Sequence, residues 1–247
     1  MSAQRPTVPP SGDEPELPEP ILELLLAGFD AARLEPGAID GTPHDYEQAM
    51  RKALPRVVQQ HQQATGRAKM AYRQGDRTGI AERVFTRMED FVAAGEPYEP
   101  TDLCSDDEFA VLLDQAATVD EGDDQEAAAG MYALLQVLRP DQPQPFINSF
   151  NIVWQTMGVK AAADCYALMM PLMASPSFFY YASDCLECAG RIDDARVAIA
   201  AAKELIDDEA YGCDVSEEME RDIRDTHERL GPPRGPDGGL PPDATTV

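Results

Sequence analysis

Aromatic, basic and histidine residues are scarce in this chain, and each shortage removes a class of structure or function. Aromatics make up 7% of 247 residues, with Trp154 the one tryptophan. Strands favour aromatic and β-branched side chains, so a core of Ala, Leu, Met, Val and Ile points to helix packed on helix. Twenty Lys and Arg stand against 45 Asp and Glu, a formal net charge of −25. Such a surface repels the phosphates of nucleic acid and the headgroups of anionic lipid. The three histidines (His44, His61, His227) are scattered, and the five cysteines (Cys104, Cys165, Cys185, Cys188, Cys213) are an odd number without a framework. A second C-x-x-C to complete the ligands of a zinc site is missing. No phosphate-cradling glycine loop and no nucleophile–base–orienter pattern is present. No catalytic residue, metal or cofactor is therefore expected. No apolar run approaches the ~18 residues needed to cross a bilayer, and the first residues lack a basic region followed by an apolar one. The expectation is a cytoplasmic chain with reduced thiols, bound to neither nucleic acid nor membrane.

What is present is unevenly spread. Residues 41–97 hold nine basic and seven acidic residues, whereas residues 98–247 hold nine and thirty. Residues 1–20 contain six prolines and almost no large apolar side chain, and residues 231–247 read GPPRGPDGGLPPDATTV. Both ends are expected to be disordered. Ile21 to Arg33, ILELLLAGFDAAR, predicts a short helix stopped by Pro36-Gly37. Five large aliphatics in six positions need a cover: the chain's own core, a homodimer mate, or a bound partner. A polar helical pattern runs from Asp45 to Tyr72, with Pro55 as its expected kink. A second helix from Thr78 to Ala94 carries Ile80, Val84, Phe85, Met88, Phe91 and Val92 on one face. Gly95, Pro97 and Pro100 then mark a boundary, giving a helical region at 21–97 and a self-contained domain at 102–230.

Three glycine–alanine pairs organise that second region: Gly122 and Ala127, Gly158 and Ala163, Gly190 and Ala195. The glycines are 36 and 32 residues apart, a mean of 34. That is the period of tetratricopeptide repeats, each a pair of antiparallel helices. Glycine suits a turn needing positive φ, and alanine suits the closest crossing of two helices. Ser105 and Glu108 read as a capping box ahead of Phe109 to Val119. Pro140 stops the next helix, running from Asp124 to Arg139. Helices over Pro145 to Met157 and Lys160 to Met173 follow, with Pro171 bending the end of the latter. Ser175-Pro176 starts another, ending near Ala189. Asp193 to Ile206 completes the third pair. A last helix from Asp214, with Glu217 closing a capping box, carries the narrow stripe Val215, Met219, Ile223 and Leu230 expected of a terminal cap. The fold class is thus all-α: three tandem helical hairpins and a capping helix, preceded by extra N-terminal helices.

From Pro176 to Ile206, PSFFYYASDCLECAGRIDDARVAIAAAKELI, the chain resembles the class II chaperones of bacterial type III secretion systems. The aromatic cluster Phe178 to Tyr181, Ala182, Cys185-Leu186, Gly190, Ala195 and the closing Ala-Lys-Glu-Leu-Ile carry the likeness, supported upstream by Ser105-Asp106, Gly122 to Met131 and Met157-Gly158. It spans Asp102 to Leu230, about half the chain, with a one- or two-residue shift around the second repeat. Residues 45–94 have no counterpart in the family, and Leu112 and Val119 stand where it usually presents tyrosines. The resemblance implies three repeats whose first helices line a concave groove holding an extended segment of a secreted translocator, tip or filament subunit, without ATP. The groove positions it implies are Phe109, Leu112, Ala116 and Val119; Asn148, Ile152 and Gln155; and Tyr180, Asp184 and Glu187.

Each candidate has a plainer reading. Leu112 and Ile152 suit a core as well as a groove. Cys185 and Cys188 lie late in a helix, far from the helix N-terminus that lowers a thiol pKa, and read as packing residues. The carboxylate pairs Asp106-Asp107, Asp123-Asp124, Asp193-Asp194 and Asp207-Asp208 fall at helix starts or loops and read as caps. The rival function is a regulatory or scaffold repeat protein joining folded partners, such as an anti-activator of secretion genes.

Overall fold

Side-chain caps and prolines cut this chain into helices close to where its sequence marks them. The computed structural model describes residues 54–94, 99–122, 124–208 and 215–233. The expectations for residues 1–20, the apolar helix Ile21 to Arg33, Cys213 and the tail beyond 233 lie outside these. Every described element is a helix, with no strand among the described residues. After a helical stretch at 54–60 come α1 (Gln62–Gly75), α2 (Ile80–Ala94), the single turn α3 (Pro100–Leu103), α4 (Asp106–Glu121), α5 (Gln125–Leu138) and α6 (Gln144–Met157). Then follow α7 (Val159–Met169), a 3-10 turn (Met170–Leu172), α8 (Pro176–Cys188), α9 (Ile192–Asp207) and α10 (Glu217–Leu230). No helix among the described residues is long and apolar enough to cross a membrane.

The capping signals act as expected at two starts. Ser105 and Glu108 close a reciprocal box at α4, and Ser175 accepts from the Phe178 amide with Pro176 in the first turn of α8. Pro171 ends α7 at Met169 and tightens the next residues into the 3-10 turn. Residues 54–60 are helical, and the break before α1 falls at His61 (φ −106°, ψ 34°). There the Thr65 hydroxyl donates to the His61 carbonyl at 2.9 Å, a back-bond that bends helices. The cap of α10 is Ser216, accepting from the Met219 amide at 3.2 Å, so Glu217 is its first helical residue and not a box partner.

The described residues form two compact units, divided between Met157 and Gly158. This division assigns α6 to the first unit and α7 to the second. In the first unit α5 packs against α1, α4 and α6, and every residue from Ala128 to Leu138 is buried. A helix apolar on all sides belongs in an interior. Helix α1 covers α5 through small and aromatic side chains. A Cβ on Gly130 would sit 3.8 Å from the Ala68 Cβ, and the buried Tyr72 hydroxyl donates to the Met131 carbonyl at 3.0 Å. Tyr72 also meets the Phe85 ring of α2 at 5.6 Å. Burying a side chain of that size stabilises by about 1.5–3 kcal/mol.

One buried cation ties this unit together. Arg139, 2% exposed, follows α5 directly. It donates to both carboxylate oxygens of Asp141 (2.9 and 2.6 Å), to Asp106 in the first turn of α4 (2.9 Å) and to the Cys104 carbonyl (3.0 Å). Its guanidinium also lies 5.4 Å from the Phe109 ring centre.

In the second unit α8 packs on α7 and α9, and α10 packs on α9. The buried Ser183 hydroxyl donates to the Ala195 carbonyl at 3.0 Å, which places the α8–α9 crossing at the alanine marked by the repeat pattern. Ala163 and Ala195 are buried; Ala127 is only half-buried, and Ala128 and Ala129 take the interior positions instead. Positive φ is found at Gly158 (88°) and Gly190 (78°). Gly122 (φ −84°) closes α4 with ordinary dihedrals.

Candidate partner-binding surfaces

The ten implied groove residues fall on three helices, seven in the first unit and three in the second. On α4, Phe109, Leu112 and Ala116 are buried, as is Ile152 on α6. These four are core residues, a correction to the groove assignment: a register counted from the glycines lands on faces that α4 and α6 turn inward. Val119 and Asn148 are half-buried, and Gln155 is exposed.

The open face of α6 is chemically uniform. Nine of its fourteen residues are buried. Apart from Met157 at its end, the rest are Gln144, Asn148, Asn151 and Gln155, at helical steps of four, three and four. All four are carboxamides, so this face offers donors and acceptors without charge. Gln144 donates to the Asn148 Oδ1 at 2.8 Å, and Gln125 of α5 donates to the Gln155 Oε1. Asn148 also shares a hydrogen bond with Tyr132, whose phenol is pushed up by burial and, secondarily, by Asp120. Gln144 and Asn151 escaped the sequence reading. Their signal was there in QPFINSFNIVWQ, as amides recurring at helical spacing among apolar residues.

In the second unit Tyr180, Asp184 and Glu187 share one face of α8 at steps of four and three, all half-buried. Tyr180 packs edge-on against Tyr181, centroids 5.5 Å apart. Glu187 receives both terminal nitrogens of Arg229 from α10, one at 2.7 Å. Asp184 and Tyr180 act electrostatically on the same guanidinium.

Several other polar groups are tied to structure. Burial pushes the thiols of Cys104 and Cys185 up to about 12 and that of Cys165 up to about 11, the reverse of what activates a nucleophile. Cys188 is exposed. Asp124 caps the Ala127 amide at 3.1 Å, Asp193 pairs with Arg196 and Asp194 with Arg191, and Asp207 pairs with Arg224 at 2.7 Å. Four basic residues of α1 and α2 are similarly engaged: Arg67 with Glu126, Lys69 with Glu89, Arg73 with Glu82 and Arg87 with Glu108. No protein-family model, no curated protein and no solved structure matches the chain.

Proposed function

We propose that this chain is a non-catalytic holding protein of the type III secretion chaperone kind, binding an extended segment of an exported partner before its release. The amide row of α6 carries the reading. In a chain of net charge −25, a helix face of four neutral carboxamides is suited to the one feature every polypeptide shares, its backbone N–H and C=O groups. Neutral amides recognise these without demanding a particular side-chain charge, and they supply neither a general base nor a nucleophile. The finer architecture, tandem tetratricopeptide hairpins with α8 and α9 as the third, belongs to the same proposal. It is supported by the glycine–alanine period and by the Ser183–Ala195 contact at the α8–α9 crossing. Holding needs no ATP, and release occurs at the export apparatus.

Co-expression with each small exported protein encoded beside its gene tests the reading. The full chain should co-purify with one of them, and the Asn148→Asp, Asn151→Asp double variant should lose that partner by placing two charges on the neutral face. Retention by the double variant, or capture of a folded regulator instead, overturns the assignment.

A further inference from the structure

Arg229 of α10 bonds Glu187, one of the three residues that the second unit contributes to the candidate surface. Glu187 grips it through two hydrogen bonds, with Asp184 and the Tyr180 hydroxyl within electrostatic reach. Two carboxylates and a phenol along one helix face suit a cation: the Glu187 carboxylate supplies two charge-assisted acceptors, and Asp184 and Tyr180 add to the negative field. We propose that this face of α8 takes an arginine or lysine side chain of a bound segment, and that Arg229 occupies it in the free protein as a built-in competitor.

Three observations support a displaceable latch rather than a permanent brace. Arg229 is 52% exposed and Glu187 26% exposed, so solvent screens their pairing and holds it weakly. The helix bearing Arg229 buries Ile223 and Leu230, and its ties include Arg224 to Asp207 and the Arg196 side chain to the Leu230 carbonyl. The arginine can leave while those remain. The chain from residue 98 onward carries thirty acidic against nine basic residues, a field that draws cationic segments toward it. An incoming arginine reproduces what Arg229 supplies, so exchange leaves no buried charge unpaired.

The inference rests on this face being a partner surface, as proposed above, but its test uses a defined probe in place of the exported partner. The probe is a fluorescein-labelled, end-capped Gly-Arg-Gly-Arg-Gly peptide, with a citrulline twin of equal shape and no charge. Its anisotropy is titrated with the full chain at 150 mM salt, a condition chosen at about one 8 Å Debye length. Removing an internal competitor that fills most of the sites should tighten binding by about fivefold in Arg229→Ala. Arg224→Ala makes the same change in net charge elsewhere on the helix and should bind as wild type does. Adding Glu187→Gln to Arg229→Ala should abolish the gain, and the citrulline peptide should show none. Arg229→Gln keeps the side chain's bulk and should behave as Arg229→Ala, separating the latch from any loosening of α10. An equal gain in Arg224→Ala, or no gain in either Arg229 variant, overturns the proposal. Loss of the exported partner in the Asn148→Asp, Asn151→Asp variant is a separate readout, so failure of the latch and failure of the holding role are told apart.

Discussion

Gly130 and Ala195 show how much depends on single small residues where helices cross. Gly130 lies mid-helix in α5, and an added Cβ would meet Ala68 at 3.8 Å, an ordinary contact. Gly130→Ala should therefore raise stability by about 0.5–1 kcal/mol through helix propensity and a stiffer unfolded chain, seen as a higher urea midpoint. Ala195 is fully buried at the α8–α9 crossing, where its carbonyl receives the Ser183 hydroxyl. Ala195→Leu should destabilise by about 1–3 kcal/mol through overpacking, by the same measurement. Asp141 makes acid sensitivity visible. Burial alone would raise its pKa, but its bonds from Arg139 and Gln142 outweigh that and hold the carboxyl below its ordinary 3.8. Its folded pKa lies below the unfolded one, so its contribution is present above the unfolded value and lost as pH falls through the folded one. Stability should drop as pH is lowered below about 4, and Arg139→Gln should flatten that drop. An unchanged pH profile in Arg139→Gln would show the pair to be unimportant.

At the scale of the element, the legible features were local. Caps and prolines act within a turn, so Ser105, Pro171 and Ser175-Pro176 read correctly from sequence alone. Which face of a helix is open depends on distant partners, and there the reading failed. Phe109, Leu112, Ala116 and Ile152 look as suited to a groove as to a core, and are core. Helix α1 reads as polar, and nothing within it announces that Ala64, Ala68 and Tyr72 dock on α5, some 60 residues later. Ser216, not Asp214, starts α10, because a serine one residue before the first turn places its oxygen on the Met219 amide. Ser216→Ala should cost that helix about 1 kcal/mol. Hydrogen exchange should quicken across 217–230 while the first unit keeps its protection; uniform loosening of both units would contradict a local cap.

At the scale of the molecule, the two compact units set what folds together. Because α1 covers α5 in the first unit, a fragment starting at residue 99 uncovers the Gly130 face and should melt earlier than one spanning 54–157, as followed by circular dichroism. Equal stability of the two would favour a domain boundary between residues 97 and 102. The low aromatic content and the helical spacing of apolar residues were enough to anticipate the helices of the described residues; the amide row needed the structure, because burial of the rest of α6 is what singles it out. That row is also where the account is most exposed. Benzoylphenylalanine placed at Asn151 in the full chain, with illumination in the native host, should crosslink an exported protein through one contiguous segment, while the same probe at Arg77 on the exposed 76–79 turn should not. Crosslinks at Arg77 alone, or at Asn151 only to a second copy of this chain, would contradict a held extended segment.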